Sequence, residues 1–338
     1  MPIVRVGLDT MGADFSPANE AGGALLASKE LRNRVKVVLF GSKQEIEKAL
    51  ANESDVSQIE IVDTTEVITM HDEPVAALKQ KRNSSLVRGL MALKNGEIDA
   101  FVSIGNTGAV MSGATLELGR IKGVSRPMIG AQFPRPQGGF TLVFDVGATV
   151  DAKPHWLKEY GIMGSIYAEK IFGVPKPSVA LLSVGEERSK GNELVLEAGK
   201  LLDETDLNFI GNVEGRDILG GGADVVLCDG YTGNVLLKFA ESVLTVLRGR
   251  IRSYSEKGFI NKLKAAVTAS VMRASLKDFD YQEHGGVPLL GVNGVVIIGH
   301  GSSSPKAIRT MIVRAEEMVN KNVVGVTRSA LAVATPDN

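Results

Sequence analysis

The sequence predicts an α/β protein built on a doubly wound sheet, and three observations support this prediction. Short apolar runs rich in β-branched residues alternate with longer amphipathic segments, as expected where strands and helices follow one another. Several short runs are almost continuously apolar, which is typical of parallel strands covered by helices on both faces. No internal repeat, low-complexity segment or long linker interrupts residues 1–330, so we expect a single domain.

Nine strands are expected, each a run of apolar and β-branched residues bounded by turn-forming residues. The predicted strands are Ile3–Asp9, Val35–Phe40, Ile59–Val62, Ala100–Ile104, Thr141–Asp145, Ser178–Ser183, Asn208–Ile210, Asp224–Cys228 and Val295–Gly299. Nine helices are expected between and after them, where apolar residues recur at the spacing of one helix face. The predicted helices are Glu20–Arg32, Lys43–Asn52, Ser85–Asn95, Ala109–Gly119, Pro154–Phe172, Glu193–Glu204, Asn234–Arg252, Asn261–Leu276 and Lys306–Asn320.

Composition and charge narrow the classes of function. The 338 residues carry a formal net charge of −1, so nucleic acid is not an expected partner, because proteins that bind its phosphates show a basic excess. The single cysteine, Cys228, excludes an internal disulfide and fits a reducing compartment. The first residues do not resemble a signal peptide, and no stretch reaches the roughly 18 apolar residues of a membrane-spanning helix. We therefore expect a cytoplasmic protein.

Polar, glycine-rich segments follow seven of the predicted strands. The segments are DTMGAD at 9–14, SIGNTGA at 103–109, FDVGATVDAK at 144–153, SVGEERSKGN at 183–192, GNVEGRD at 211–217, CDGYTGN at 228–234 and GHGSSS at 299–304. In open α/β sheets ligands bind at the carboxyl ends of strands, where glycine admits close approach and helix N-termini attract anions. We expect the seven segments to converge at one edge as an anion site, with Lys153, Lys190 and Arg216 among its cations. The alternative is that they serve only as turns and helix caps.

Familiar catalytic motifs are absent from the sequence. There is no GxxxxGK[ST] phosphate loop, no GxGxxG after the first strand, no HExxH and no GxSxG. Cys228 ends an apolar strand beside Asp229, where burial and a neighbouring carboxylate would raise its pKa, so we expect a structural thiol. No cofactor is therefore expected.

Carboxylates and histidines supply further candidates. The strand-end carboxylates are Asp9, Asp145, Asp151 and Asp229. They could hold a divalent metal with substrate, but helix capping and pairing with Lys or Arg also account for them, and we expect no metal. His300 and His284 lie in glycine-flanked turns and are candidates for a general acid or an oxyanion donor. His71 and His155 are weaker candidates of the same kind.

The segment from Arg248 to Lys277 differs from the rest of the chain. It holds eight Lys and Arg residues and one acid, Glu256. Apolar residues recur in it at helical spacing, so we predict a basic amphipathic helical segment over about residues 245–280. Such a segment can lie on an anionic membrane or bind an acidic protein. The alternative is a solvated charged face whose apolar stripe packs in the core or against a second subunit.

Taken together, the segments resemble the PlsX phosphate acyltransferase family over nearly the whole chain. The resemblance rests on long motifs in a fixed order: DTMGAD with Pro17, DEPVAALKQKRNSS at 72–85, SIGNTGA, GRIKGVSRP, FDVGATVDAKP, KGNE, GNVEGRD, DGYTGNVLLK, HGGVPLLG and GHGSS. The chain departs from the family pattern at three positions. Ala13 replaces a usual glycine, and Thr149 and Ser183 stand where Asn is common.

The resemblance implies a Rossmann-like fold related to phosphate acetyltransferases and to isocitrate and isopropylmalate dehydrogenases, with a protruding helical segment. It implies a homodimer that moves a long-chain acyl group from acyl-[acyl carrier protein] to inorganic phosphate, giving acyl phosphate for phospholipid synthesis. Family members are peripheral membrane proteins whose product feeds glycerol-3-phosphate acylation. Membrane contact and association with glycerol-3-phosphate acyltransferase are therefore expected.

Orthophosphate is itself a nucleophile at neutral pH, so we expect direct attack on the thioester without a covalent enzyme intermediate. The expected catalytic residues are His300, Lys190 and Asn234. The expected substrate-binding residues are Asp9, Gly105, Asn106, Thr107, Gly108, Asp145, Lys153, Arg216, Asp229, Thr232 and Ser302. The 105–108 loop would hold phosphate with Lys190 and Arg216. His300 or Ser302 would lie near the oxyanion, and Asn234 and Thr232 would line the thioester site.

Other functions remain open at this point. A short-chain phosphate acetyltransferase would use acyl-CoA, and a decarboxylating dehydrogenase would require a metal and NAD. A non-catalytic scaffold for lipid synthesis would bind carrier protein through the basic helix without phosphate-dependent turnover.

Overall fold

A computed structural model describes residues 2–275 and 285–334 of the chain. Within these residues eleven strands form one sheet, and strands and helices alternate as predicted, so the α/β class is confirmed. The strands are β1 (Val4–Asp9), β2 (Val35–Gly41), β3 (Ile59–Asp63), β4 (Ala100–Ser103), β5 (Met128–Pro134), β6 (Phe140–Phe144), β7 (Ser178–Leu182), β8 (Asn208–Val213), β9 (Val225–Leu227), β10 (Val287–Leu290) and β11 (Val295–Ile298).

Twelve α-helices lie in the same ranges. They are α1 (Ala18–Leu31), α2 (Lys43–Leu50), α3 (Pro74–Gln80), α4 (Ser85–Lys94), α5 (Thr107–Glu117), α6 (Pro154–Phe172), α7 (Glu193–Asp203), α8 (Gly215–Gly220), α9 (Gly230–Ser255), α10 (Phe259–Ser275), α11 (Pro305–Asn320) and α12 (Val323–Ala334). A 3-10 turn at Arg32–Arg34 follows α1. No helix in the described part of the chain is long and apolar enough to span a membrane.

Strand direction divides the sheet into two parallel blocks. The order across the sheet is β3-β2-β1-β4-β11-β10-β5-β6-β9-β7-β8. Strands β1 to β4 and β11 are parallel to one another, as are β6 to β9. Between the blocks, β10 and β5 pair antiparallel with each neighbour. Three reversals therefore separate the blocks, and their strands run in opposite directions.

The sheet carries an apolar layer on each face, because successive residues of a strand point to opposite sides. In β2, Val37 and Leu39 join the layer beneath α1, α6 and α11, whereas Val38 and Phe40 join the layer beneath α4 and α5. All four side chains are buried. Burial on both faces explains why these strands are continuous apolar runs in the sequence.

The sequence prediction missed two strands and three helices. The missed strands, β5 and β10, contain Gly130 and Pro288, which weaken a strand pattern. Gly130 is required by packing, since a Cβ there would lie 1.9 Å from Cε1 of Phe144. The missed helices are α3, α8 and α12.

Two of the helices that begin earlier than predicted bear on the site. Asn106 is the N-cap of α5 and Asp229 is the N-cap of α9. The helices therefore start at Thr107 and Gly230, directly after residues that the sequence assigned to substrate binding.

The basic segment comprises the end of α9 and the whole of α10, and these two helices pack against each other. The buried residues of α9 are Gly230 and Gly233 at its start, and the 26-residue helix extends about 39 Å from there. Large apolar side chains of both helices are exposed: Val243, Val246, Leu247, Tyr254, Phe259, Ile260, Leu263, Val267 and Val271. Residues 276–284, which include Lys277 and His284, lie outside the described residues.

Candidate active site

The seven polar loops follow strands of both parallel blocks and therefore form two groups. The first loop group follows β1, β4 and β11 and comprises residues 9–14, 103–109 and 299–304. The second loop group follows β6, β7, β8 and β9 and comprises residues 145–153, 183–192, 214–217 and 228–234. The two parallel blocks run in opposite directions in the pairing order of the sheet, and the rotation between neighbouring strands accumulates from one block to the other. This reversal rests on β5 and β10, the strands that the sequence analysis missed.

Asp9 is the buried centre of the first loop group. Its Oδ2 accepts a hydrogen bond from Ser103 Oγ at 2.8 Å, and its Oδ1 accepts the Met11 N–H at 3.3 Å. Burial raises the pKa of Asp9 to about 6. Gly105 packs over this carboxyl, since a Cβ there would lie 3.4 Å from Asp9 Oδ2, and a Cβ on Gly108 would lie 2.9 Å from a proline ring of α3. The loop backbone is thus closely packed around a carboxyl that can hold a proton near neutral pH.

The side chain of Asn106 is fully engaged within the chain. Its Oδ1 accepts the Ala109 N–H at 3.1 Å. Its Nδ2 donates to the backbone oxygens of Asp72 and Thr69 at 3.1 and 3.3 Å. Asn106 therefore caps α5 and holds the segment before α3, while the neighbouring Thr107 side chain is exposed.

His300 and Ser302 form a hydrogen-bonded turn in the same group. The Nδ1 of His300 lies 2.8 Å from Ser302 Oγ and accepts the Ser302 N–H at 3.2 Å. Because a backbone N–H only donates, Nδ1 is an acceptor, and the neutral ring carries its proton on Nε2. His300 and Ser302 thus belong to the first loop group, whereas Asn234 and Lys190 belong to the second.

Glu20 was missed by the sequence analysis. It is fully buried in α1; its Oε1 accepts from Ser16 Oγ at 2.5 Å, and its Oε2 has no partner in the described chain. Burial raises its pKa to about 7, and the charge of Asp9 adds to the shift. Ser303 Oγ is likewise buried without a partner there. An acid in the first turn of a helix usually faces solvent near the helix dipole, so nothing in the sequence marked Glu20.

Asp145 organises the second loop group. It is buried, and its carboxylate accepts the backbone N–H groups of Ile129 (3.2 Å), Gly147 (3.2 Å), Ala148 (3.0 Å) and Thr149 (2.7 Å). Burial raises the pKa of Asp145 to about 6, and the four amide bonds oppose that rise. Its oxygens therefore hold the loop in shape.

The first turn of α9 packs directly onto this loop. Asp229 accepts both the N–H and the hydroxyl of Thr232 at 2.8 Å, so these two side chains form the helix cap. Gly230 and Gly233 face the loop, and a Cβ on Gly233 would lie 1.9 Å from the Asp145 backbone oxygen. The close approach of the two segments requires glycine at both positions.

Asn234 and Lys190 are two exposed polar residues of this group. Asn234 is exposed beside Gly147, where an added Cβ would lie 3.5 Å from its Oδ1. Lys190 is exposed in the loop after β7, and β7 pairs with β9, the strand that leads into α9. Neither side chain has a hydrogen bond or ion pair among the described residues. Both can therefore serve a ligand.

The other two predicted cations differ in their surroundings. Arg216 lies 3.1 Å from Glu214, 3.5 Å from Glu186 and 4.0 Å from Asp217, so three carboxylates compete with any bound anion. Lys153 is the N-cap of α6, and its Nζ lies 5.8 Å from the indole centroid of a tryptophan in that helix.

Cys228 has the structural role expected from the sequence. Its thiol is buried and donates to the Asp145 backbone oxygen at 3.4 Å. Burial raises its pKa well above the ordinary value, and the charges of Asp229 and Asp145 add to the shift. Among the described residues, no group of three His, Cys, Asp or Glu side chains could hold a metal ion.

The fold of the chain is similar to that of phosphotransacetylases. The phosphotransacetylase of Streptococcus pyogenes aligns with a TM-score of 0.61 over 94% of each chain, at 16% identity. A branched-chain phosphotransacylase from Enterococcus faecalis V583 aligns with the same TM-score over 94% of this chain and 99% of that one, at 14% identity. At such identity the likeness concerns the fold, and it confirms the predicted relation to phosphate acetyltransferases. The relation to the dehydrogenases stays a prediction.

Sequence similarity identifies the family. Residues 4–326 match the family described as "Fatty acid synthesis protein". The phosphate acyltransferase of Brevibacillus brevis is 44% identical over 97% of both chains, and that of Heliobacterium modesticaldum is 45% identical over 95% of this chain and 96% of that one. The chain therefore belongs to the fatty acid synthesis protein family and is an acyltransferase, which confirms the resemblance drawn from the motifs.

Proposed function

We propose that the chain transfers a long-chain fatty acyl group from acyl-[acyl carrier protein] to inorganic phosphate, and that the acyl phosphate supplies phospholipid synthesis. The name of its relatives, phosphate acyltransferase, supports phosphate as the acceptor. The family description supports a fatty acyl group. The basic hairpin formed by helices α9 and α10 supports a protein donor.

One observation carries the proposal: Asn234 and Lys190 lie at one sheet edge, exposed and without a partner among the described residues. An amide donor suits a thioester carbonyl oxygen, on which negative charge develops during attack. An ammonium group suits the phosphate dianion. We therefore assign the carbonyl to Asn234 and the phosphate to Lys190, with Arg216 as an outer cation.

In the proposed reaction a phosphate oxygen attacks the carbonyl carbon of the thioester. A C–O bond forms, the carbonyl becomes a tetrahedral oxyanion, and the C–S bond then breaks. The carrier's thiolate leaves and takes up a proton from solvent. An acyl-enzyme on Cys228 is disfavoured because its thiol is buried and its pKa is raised. Orientation of the two reactants lowers the activation free energy of such a reaction by about 7–11 kcal/mol. One oxyanion donor lowers it by about 3–4 kcal/mol.

The first loop group is proposed to complete the site from across the sheet. Adjacent strands are rotated by about 20–25°, and six strand-to-strand steps lead from β1 to β9. The accumulated rotation of about 120–150° offsets most of the reversal in strand direction. The carboxyl ends of β1 and β9 would then face one side, which would bring His300 and Ser302 toward the oxyanion.

Helix α9 links this site to a proposed docking surface for the donor. From Arg248 to Lys264 the chain carries six Lys and Arg residues and one acid, Glu256. Arg248 lies fourteen residues beyond Asn234, or about 21 Å along the helix. A donor bound there must reach the site through a long flexible arm, and the phosphopantetheine arm of an acidic carrier protein is of this kind. Its attraction to the hairpin should weaken with salt.

We also propose a homodimer and a peripheral membrane contact for an otherwise cytoplasmic protein. Apolar side chains are exposed from the base of the hairpin to its tip, among them Phe239 at 67% and Phe259 at 83%. The base would pack on a second subunit, and the basic tip would lie on anionic lipid near glycerol-3-phosphate acyltransferase, which uses the product. Analytical ultracentrifugation tests the dimer. Co-sedimentation with anionic and with neutral vesicles tests the membrane contact.

The decisive experiment measures carrier protein released from palmitoyl carrier protein, with acyl phosphate trapped as hydroxamate. We expect stoichiometric hydroxamate that requires phosphate but neither metal nor nucleotide; a phosphate-free reaction controls for direct attack by hydroxylamine. Acetyl-CoA as donor tests the short-chain alternative favoured by the phosphotransacetylase fold. Binding of carrier protein without phosphate-dependent turnover would overturn the proposal in favour of a scaffold.

A further inference from the structure

A cationic cluster surrounds Trp156, the single tryptophan of the chain, beside the second loop group. Arg126 Cζ lies 5.6 Å and Lys153 Nζ 5.8 Å from the centroid of the indole ring. The His155 ring packs edge-on against the same indole at 5.9 Å. Arg126, Lys153 and His155 are exposed. These four residues form the Trp156 cluster.

The antiparallel strand β5 brings Arg126 to this edge. Arg126 precedes β5, which pairs antiparallel with β6, so β5 begins where β6 ends. The connection to the loop is direct, because the Ile129 N–H donates to Asp145 at 3.2 Å and the Val146 N–H donates to the Ile129 oxygen at 3.0 Å. Arg126 therefore lies next to the loop that supports Asn234. The sequence analysis assigned it no role because β5 was not predicted.

The two cations of the cluster form no ion pair within the described chain. Neither Arg126 nor Lys153 has a side-chain hydrogen bond or ion pair there. The first turn of α6 contains no acidic residue, although a helix N-terminus favours anions and disfavours cations. The nearby carboxylates are hydrogen-bonded elsewhere: Glu159 accepts the N–H and the hydroxyl of Ser125 at 2.7 Å each, and Asp145 accepts four amides. The charge of Glu159 acts on His155 of the cluster.

A buried hydroxyl beneath the cluster also lacks a partner. Tyr160 Oη is buried, and no residue of the described chain completes a hydrogen bond with it, although the Thr149 side chain lies beside it. Arg126 and Asp145 are both close enough for their charges to act on the Tyr160 hydroxyl.

We propose that Arg126 and Lys153, held against the Trp156 ring, bind a phosphoryl oxyanion of the substrate. A guanidinium group stacked on an indole keeps its N–H edge available for two parallel bonds to phosphate oxygens. The inference rests on the proposed function. Two phosphoryl groups fit this chemistry, the orthophosphate acceptor and the phosphodiester of the donor's pantetheine arm.

Because Trp156 is the single tryptophan, its emission reports directly on the cluster. Titration with inorganic phosphate should change this emission saturably, whereas chloride at equal ionic strength should not. Arg126→Ala should weaken phosphate binding about tenfold or more, as expected for loss of a charged hydrogen bond. Arg126→Lys keeps the charge but loses the paired N–H donors of the guanidinium group. Its affinity for phosphate should lie between those of the wild type and Arg126→Ala. Lys170→Ala, in the last turn of the same helix, should bind phosphate as the wild type does.

Steady-state kinetics then distinguish the two sources. A raised phosphate KM in Arg126→Ala, with the KM for palmitoyl carrier protein unchanged, assigns the cluster to orthophosphate. The reverse pattern assigns it to the donor's phosphodiester. If phosphate binding and both KM values stay at the wild-type level in Arg126→Ala and Lys153→Ala, the inference is wrong even where turnover is intact. Saturable phosphate binding without any turnover would instead refute the proposed function and leave the cluster standing.

Discussion

The two loop groups are built from the same residue types but use them differently. In the first group the Asn106 side chain is bonded to the loops around it, and Asp9 is bonded to Ser103. In the second group Asp145 holds the loop, whereas Asn234 extends beyond it with no partner among the described residues. A polar loop residue therefore indicates chemistry only after its bonds within the chain have been accounted for.

The largest expected effect separates the two asparagines. Asn234→Ala should lower kcat about 10²–10³-fold, because it removes the proposed oxyanion donor, and should leave the free energy of unfolding almost unchanged. Asn106→Ala should lower the free energy of unfolding by about 1–2 kcal/mol through loss of the α5 cap, while the folded protein keeps its kcat. Steady-state kinetics and urea denaturation measure both. An equal loss of kcat in the two variants would remove the distinction between the loop groups.

The next effect tests how tightly α9 packs onto the Asp145 loop. Gly233→Ala places a Cβ 1.9 Å from the Asp145 oxygen and should cost about 3 kcal/mol of stability. Gly249→Ala is the matched control in the same helix, because no atom lies within 4 Å of its Cβ position. It should stabilise the helix by up to about 1 kcal/mol. Wild-type stability in Gly233→Ala, measured by urea denaturation, would contradict the close approach.

Much of the fold could be predicted from the sequence because most strands are buried on both faces, as Val37 to Phe40 show. The division of the loops into two groups could not be predicted, because it depends on two strands, β5 and β10, that contain Gly130 and Pro288. These residues look like turn signals until the Phe144 ring that packs on Gly130 is seen. When an antiparallel strand is missed, the predictions for the neighbouring strands and helices stay correct. The direction of the parallel block that follows it in the sheet is nevertheless predicted wrongly.

The candidate site was predictable as a set of loops but not as a set of roles. Asn106, Asp229 and Asn234 all stand in Gly- and Thr-containing turns, and sequence cannot tell a helix cap from a ligand-binding amide. Glu20 shows the converse case, since a first-turn acid gives no sign that tertiary packing will bury it. The hydrogen bonds of each side chain in the folded protein distinguish a cap from a ligand-binding amide, and tertiary packing determines which acid is buried.

A third prediction uses the buried acids of the first loop group. The pKa of Glu20 is raised from 4.5 to about 7, and that of Asp9 from 3.8 to about 6. The folded chain therefore holds protons that the unfolded chain has released. The stabilising contribution of Glu20 is complete below pH 4.5 and is lost as pH rises through about 7. Its loss amounts to about 3 kcal/mol.

Urea denaturation at several pH values checks this prediction. As pH rises from 4.5 to about 7, the free energy of unfolding of the wild type should fall. In Glu20→Gln it should fall less steeply over the same pH interval. The comparison concerns slopes, because the Gln amide changes absolute stability through its own buried donor. Identical slopes in the two proteins would mean that Glu20 does not hold a proton in the folded state. The first loop group would then carry no proton near neutral pH through this residue.

The smallest expected effect concerns how the donor reaches the second loop group. Reversal of Lys262 and Lys264 to Glu should raise the KM for palmitoyl carrier protein about three- to tenfold at low salt, since each surface charge contributes up to about 1 kcal/mol. The effect should shrink as salt screens the charges. Lys170→Glu with Lys200→Glu makes the same change in net charge on α6 and α7 and should leave that KM unaltered.

Palmitoyl-CoA, if it is accepted as a donor, makes this test specific to docking. It carries the same thioester on a pantetheine arm but lacks the carrier's acidic surface, so its KM should be the same in the wild type and the hairpin variant. An equal rise in KM for both donors would show that the hairpin charges act on the active site and not on docking of the carrier protein. The contrast between the loop groups would then have to include α9 along its whole length, because the helix whose first turns carry Asn234 would transmit changes at its far end to the reacting thioester.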